Sequence, residues 1–416
     1  MLEHRRWNRW TIWTIMPLLR LVLLGSLAGC GWVDAWIGDE PTPEPEVTGA
    51  VRLQNLTLQQ TDDQGQILWL LQADGARYSD GGLQQIEIDN LRGDLRVAGK
   101  PTYTLEAKAV KVRQRNDQLW IEGRTTVTDV AARGTIVADQ FVWRGDRALL
   151  QAQKNLQIRY PQVAITAQRL EADSQRQELR ALKAVQVTSS LPEAQDLRLS
   201  TDVLVWQQEQ ERLLAGVGGA GGVTVVGVAG DRLRAQEAEW SIPQQQVTLR
   251  RSVQVDLQEP RLLARGELIQ WRIDRQQIIS DAPLTVEYPS QGITGQARRG
   301  VLFLDDNRAI FENARLQSQP QAAQLRAQRL TWRIPQQQVE ASGHVEIQRP
   351  NATLRTAQLV WRMPQQEVEA QGGVFYHQAN SRIQVRGQQA KGWLDRQEVI
   401  VTGRVQTQVP VQLRLP

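Results

Sequence analysis

Few residues in this chain have the types and spacing that chemistry needs. Gly216-Val217-Gly218-Gly219-Ala220-Gly221 satisfies the letter of a dinucleotide-binding fingerprint. That fingerprint requires a helix directly after it, whose N-terminus receives the pyrophosphate. The residues that follow, Val223-Thr224-Val225-Val226, read as a strand instead, so the glycine run is expected to be a flexible or bulged hairpin connection. His4, His344 and His377 are too scattered to form a metal ligand set, and the latter two are expected on solvent faces of strands. No Gly-x-Ser-x-Gly elbow, P-loop or His-Glu-x-x-His occurs, and the acidic residues show no distinctive pairing. These observations point away from an enzyme and imply neither a metal nor a cofactor.

Cys30 is the one cysteine of the 416 residues, which excludes a disulfide framework. It follows a basic start (Arg5, Arg6, Arg9) and an apolar stretch from Thr11 to Ala28 interrupted by Arg20, the marks of an export signal over residues 1–29. Leu27-Ala28-Gly29-Cys30 resembles a bacterial lipobox, which implies cleavage before Cys30 and lipidation of that residue. The alternative is an uncleaved signal anchor in which Cys30 is incidental. On either reading the body leaves the cytoplasm and stays tethered to a membrane. Residues 30–46 form the tether, where Glu40-Pro41-Thr42-Pro43-Glu44-Pro45-Glu46 reads as an extended, semi-rigid spacer. The formal charge of +4 comes from 49 basic and 45 acidic side chains. Arg5, Arg6, Arg9 and Arg20 against Glu3 account for most of the excess, leaving 45 against 44 in the body, which lacks the electrostatic footprint of a nucleic-acid binder.

The strongest pattern is structural. In Leu330-Thr331-Trp332-Arg333-Ile334-Pro335-Gln336-Gln337-Gln338-Val339-Glu340-Ala341 the apolar residues fall every second position on both sides of Pro-Gln-Gln-Gln, the period of a strand. Pro335 pre-sets φ for a tight turn and the glutamines stay solvated. The unit is a β-hairpin with one apolar face. It recurs from Trp361 to Val368 and from Trp240 to Val247, and its spacing persists from Trp271 to Ile278 and Trp206 to Leu213. Trp393 to Val399 is one residue shorter, and the copy from Leu302 to Ile310 has lost its tryptophan. The result is a repeat of about thirty residues, the length of a stacked supersecondary unit. Leu170 to Val187 has a helical composition yet matches its neighbours in length and in its closing Val-x-Val, so it is predicted as another hairpin.

Near the start of the body, Trp69, Leu71 and Ala73 alternate on one face, and Gly75-Ala76 shifts the register so that Tyr78 resumes it. This Trp-x-Leu-x-Ala-x-x-Ala-x-Tyr pattern behind an N-terminal anchor resembles the LptC family of lipopolysaccharide export. The later Ala327-x-x-Leu330-x-Trp332 and Val339-x-Ala341-x-Gly343-x-Val345 units resemble the OstA-like repeats of LptA, LptC and the periplasmic part of LptD. The chain departs from familiar LptC proteins in carrying a lipobox in place of a transmembrane helix, and in having room for about two modules.

The expected fold is all-β, an elongated, V-shaped, OstA-like antiparallel β-jelly roll of one or two modules with two sheets. The first module spans 47–190, and a second module or continuing repeats span 191–416, with a candidate junction at Ser189-Ser190-Leu191-Pro192. The tryptophans at 143, 206, 240, 271, 332 and 361 either fill a core or line an apolar groove between the sheets. In the groove reading Leu330, Ile334 and Leu359 join them, with Trp69, Leu71, Ala73 and Tyr78 near the entry. The resemblance implies that the groove takes the acyl region of lipopolysaccharide. It implies a periplasmic protein, at the inner membrane by preference, that receives lipopolysaccharide from the membrane subunits of an ABC transporter and passes it towards the outer membrane. A structural β-repeat scaffold of the cell envelope without a lipid groove is the competing reading. Val399, Val401, Val405 and Val409 lie on an alternating terminal segment suited to an edge strand that docks an LptA-like jelly-roll protein or a second copy. Pro410 and Pro416 either favour that edge or simply end the pairing.

Overall fold

The computed structural model describes residues 52–78, 85–115, 118–194, 197–218, 221–227, 230–396 and 398–409. Cys30, the leader, the Pro/acid tether, Pro410 and Pro416 lie outside them. The chain divides into two units, residues 1–48 and 49–416, and every described residue belongs to the second.

The described residues form 28 strands and three single-turn 3-10 segments, with no α-helix. The strands make one antiparallel sheet in which long strands pair with their neighbours in sequence, and where a strand is interrupted both of its halves pair with the same long neighbour, as Arg212–Ala215 and Val223–Val226 do with Arg198–Gln207. Leu170 to Val187 falls within a hairpin of Val163–Asp173 and Glu178–Ser189, as expected. At the candidate junction, Glu178–Ser189 pairs directly with Arg198–Gln207. The sheet runs on without a break in hydrogen bonding.

The glutamine turns explain how the repeats stack. In each, a type I-like bend ends in a residue with positive φ, such as Gln245, Gln337 or Gln366. A left-handed residue other than glycine costs about 1–2 kcal/mol, and an inter-turn hydrogen bond offsets it. The carbonyl of that residue accepts a bond from the amide that opens the next turn: Ile273 N to Gln245 O at 2.9 Å, Met363 N to Gln337 O at 3.1 Å, Leu394 N to Gln366 O at 2.8 Å. The same link joins Gln177 to Gln208, Glu211 to Ile242, Gln276 to Leu304 and Asn307 to Ile334. One edge of the sheet is thus a ladder of turns, rung upon rung.

Each long strand also changes direction at its middle. Strands leaving a glutamine turn place their central pair of buried residues four apart: Ala152 and Leu156, Ala181 and Val185, Leu249 and Val253, Ala341 and Val345. Between them lie one or two residues with positive φ: Lys154 and Asn155, Lys183 and Ala184, Arg251 and Ser252, Gly343 and His344. Returning strands space the equivalent pair three apart, as in Ala138 and Phe141, Thr201 and Leu204, Ala327 and Leu330, Thr356 and Leu359. An odd step reverses the pleat face, so a flat strand would carry its two apolar rows on opposite sides. Both rows nevertheless join a single buried cluster. The strands therefore bend, and their two arms stand as facing walls around one core. The expected pair of sheets is one sheet folded along this line of bulges.

The glycine run from Gly216 also sits on this line. Arg212–Ala215 and Val223–Val226 pair with one strand, Arg198–Gln207. The run is an insertion at mid-strand and not the hairpin connection that its composition suggested. No helix follows it, so the dinucleotide fingerprint has no structural counterpart.

Candidate functional site

The bend brings the two ends of the strands together along one side of the molecule. The near lip carries the glutamine turns and the far lip carries the alternate turns. Aromatic pairs cross between them edge to face: Tyr103 with Trp143 at 6.1 Å, Tyr160 with Trp206 at 4.4 Å, Tyr288 with Trp332 at 5.3 Å between ring centroids. Gly227 on the far lip also lies against the Trp271 ring, where an added Cβ would come within 2.9 Å. Such contacts each contribute about 0.5–1.5 kcal/mol beyond the area they bury. They close a seam over the apolar interior.

Polar groups reinforce the seam in the first half of the body. Asp129 is buried; one of its carboxylate oxygens accepts from the backbone amides of Ala131 at 3.1 Å and Ala132 at 3.0 Å. The other accepts from the Tyr160 hydroxyl at 3.2 Å and from Gln208 Nε2 at 3.3 Å, and Gln208 also reaches the Tyr160 oxygen at 3.0 Å. Burial, with the Asp129 charge beside it, pushes the Tyr160 phenol far above its ordinary range. Ser174 donates to the Tyr103 hydroxyl at 3.0 Å, and burial pushes that phenol up to about 12. Both tyrosines stay neutral and act as hydrogen-bonding staples.

The structure gathers most of the expected groove residues into one interior. Trp69, Leu71, Ala73, Trp143, Trp206, Trp240, Leu330, Trp332, Ile334, Leu359 and Trp361 are all buried in the common cluster. Trp271 is half-buried against it. In the first motif Ala76 takes the buried position after the kink, while Tyr78 is half-buried and outside the cluster. Arg333 is exposed and Arg362 half-buried on the outer face, so the alternation around the repeat is as expected. His344 is exposed at a bulge and His377 is half-buried. At the terminal segment Val399 and Val401 pack on the core, whereas Val405 and Val409 are 48% and 59% exposed.

The interior is filled for most of its length. Trp240 and Trp361 are 0% exposed, and two inner voids measure only about 30 and 10 Å³. Larger concavities of about 730 and 400 Å³ lie elsewhere, lined by polar residues such as Gln254, Arg265, Gln296 and Arg315. The indole N–H groups of Trp143, Trp206, Trp240, Trp332 and Trp361 are buried without a hydrogen-bond partner, while that of Trp69 donates to Gln60 at 2.7 Å. Among the described residues no cluster could hold a metal ion, and no helix is long and apolar enough to cross a membrane.

A family model described as lipopolysaccharide-assembly, LptC-related, matches residues 21–190. Over this stretch, less than half of the chain, the sequence is similar to the LptC-related family. The similarity points towards lipopolysaccharide transport. A search of curated proteins returned no match to the chain. The matched stretch ends where Glu178–Ser189 ends, yet bent strands of the same kind continue through the described residues beyond it. The seam itself was missed in the sequence. At two of its contacts a tyrosine directly before a proline marks it, Tyr160 before Pro161 and Tyr288 before Pro289.

The two seam tyrosines should respond differently to loss of the hydroxyl. Tyr160→Phe leaves Asp129 buried with one partner fewer and is expected to lower stability by about 1–3 kcal/mol. Tyr288→Phe, which keeps the ring on Trp332, should change it by less than about 0.5 kcal/mol. Urea unfolding followed by circular dichroism checks both; equal effects would show that the polar contact contributes nothing special.

Proposed function

We propose that this protein is a membrane-tethered periplasmic carrier that shields the acyl chains of lipopolysaccharide between its two walls and passes the lipid along an export bridge towards the outer membrane. The observation that carries this reading is the LptC-related match on a body whose apolar interior is continuous and bounded by a seam rather than by covalent or sheet closure. Among the described residues no hydrogen-bonded ladder joins the lips, so they part without breaking the sheet. The lipid arrives from the membrane subunits of an ABC transporter, which supplies the energy, and acyl chains replace wall-to-wall packing as it enters. The filled interior favours a second reading, a closed β-repeat scaffold of the cell envelope.

A photo-crosslinking residue separates the two readings. Placed at Trp332 or Trp361 it should capture lipopolysaccharide, and at Arg333 or Arg362, on the opposite face, it should not. Equal capture at both sets, or none at the inner pair in folded protein, would support the scaffold.

Attachment through a lipid on Cys30 follows from Leu27-Ala28-Gly29-Cys30 behind the basic, apolar leader. Labelling with a radioactive fatty acid should mark the wild type and leave Cys30→Ser unmarked. Equal labelling of the two would rule this attachment out.

The last strands are the docking edge in this reading. Glu398–Thr402 and Gln406–Gln408 both pair only with Ile383–Trp393, so their outer backbone groups have no strand partner among the described residues. Ile400, Val405 and Val409, three of the large apolar side chains most exposed in the structure, lie here. Such an edge accepts a strand from another jelly-roll protein, LptA-like or a second copy. Deleting residues 403–416, which spares the packed Val399 and Val401, should abolish partner pull-down while circular dichroism and lipid capture persist. Undiminished pull-down would eliminate this edge.

A further inference from the structure

The far-lip residues that face the near lip are not uniform along the seam. Tyr160, before Pro161, meets Trp206, and Tyr288, before Pro289, meets Trp332. Arg349, before Pro350, stands nearer the C-terminus, and Trp393 lines the same cavity. A guanidinium is found there where Tyr160 and Tyr288 carry a phenol ring, and the cavity measures about 150 Å³. Ile347, Leu354, Val368, Trp393, Leu394 and Val399 form its apolar walls, with Tyr376 alongside and Asn351, Gln378 and Arg349 among its polar lining.

Arg349 is left incompletely satisfied. Its Nη1 donates to the Leu394 carbonyl at 2.6 Å, which ties one lip to the other, while its Nε is buried without a hydrogen-bond partner. It joins none of the ion pairs among the described residues. Burial raises the Tyr376 pKa and the Arg349 charge opposes that rise, so the two groups sense each other. Glu398 also borders the cavity, but it is exposed to solvent, where its repulsion of an anion is screened. A half-buried guanidinium with a buried, unpartnered Nε beside a cavity with apolar walls suits a ligand that brings both an anion and a hydrocarbon.

We propose that this gap in the seam is a binding site for a single alkyl chain with an anionic head, the chain lying in the cavity and a phosphate or carboxylate on the Arg349 guanidinium. The site lies beyond the LptC-related residues. It deepens the lipid-carrying reading by placing one headgroup contact at the last repeats, and it rests on that reading only for the class of ligand.

Calorimetric titration of the full chain with octyl phosphate, octanoate and octyl glucoside, each below its micellar concentration, tests the proposal. At least one anion should bind about tenfold or more tightly than the glucoside, the discrimination expected of a charge-assisted hydrogen bond. The tighter of the two anions identifies the head as phosphate or carboxylate. Arg349→Gln should remove that preference and leave glucoside binding unchanged. Val399→Phe, at a half-buried wall position, should weaken all three by filling the cavity. Equal binding of anions and glucoside, or full anion preference in folded Arg349→Gln, overturns the proposal. If Arg349→Gln does not fold, undiminished binding to Val399→Phe overturns it instead. Lipopolysaccharide capture at Trp332 is read separately, so a failed groove with an intact anion preference, or the reverse, tells the two ideas apart.

Discussion

Everything in this structure depends on the bend at the middle of each strand. A hairpin with one apolar face cannot bury that face alone, and a flat stack of such hairpins would leave one whole side of the sheet in water. The bulges solve this within the sheet. The four-residue step of one strand and the three-residue step of the next are complementary, because both let the two arms of a strand turn their apolar rows towards each other. Left-handed residues such as Lys154, Asn155, Lys183, Ala184, Arg251 and Ser252 absorb the extra length. The strain is spread over many rungs, and each rung is held by hydrogen bonds to both neighbours.

The facing walls create the tension between stability and function. Each buried indole leaves an unsatisfied N–H in five of the tryptophans, at about 1–3 kcal/mol apiece. Burying the ring itself contributes about 4–6 kcal/mol from 150–250 Å² of surface, so the ring wins and the wall closes. In the proposed carrier an acyl chain competes with this packing because it offers the walls the same kind of surface that they offer each other. A closed resting state and a lipid-filled state therefore differ less in free energy than a closed state and a water-filled one.

The sequence disclosed the parts of this fold that repeat locally. Pro335 and Gln337 announce a turn, and the alternation from Leu330 to Ile334 shows which side chains point inward. Trp332 and Trp361 are buried while Arg333 and Arg362 face out, as the period of two requires. The bends were not legible in the same way. Their left-handed residues are lysine, asparagine, alanine and arginine as often as glycine, and a change of step from two to three or four reads locally as lost alternation. That is why Tyr78 was taken for the next inward residue when Ala76 has that place. The seam escaped for a different reason, since Tyr160 and Trp206 belong to different turns and meet only once the strands have bent.

The seam is not uniform, and its variation follows from chain position. In the first half it is joined by Tyr103 with Ser174 and by Tyr160 with Asp129 and Gln208, so parting the lips there breaks buried hydrogen bonds as well as ring contacts. Around Tyr288 and Trp332 only the aromatic contact remains. At Arg349 and Trp393 the ring contact is gone, and Ile383, Val385, Val399 and Val401 are only half-buried. The terminal rungs have a neighbour on one side only, so fewer ladder bonds resist their displacement. Resistance to opening thus falls from the N-terminal repeats towards the C-terminal strands. The edge that is left unpaired and the interior that is least tightly filled coincide, which is the arrangement that a continuous apolar path into an adjoining jelly roll requires.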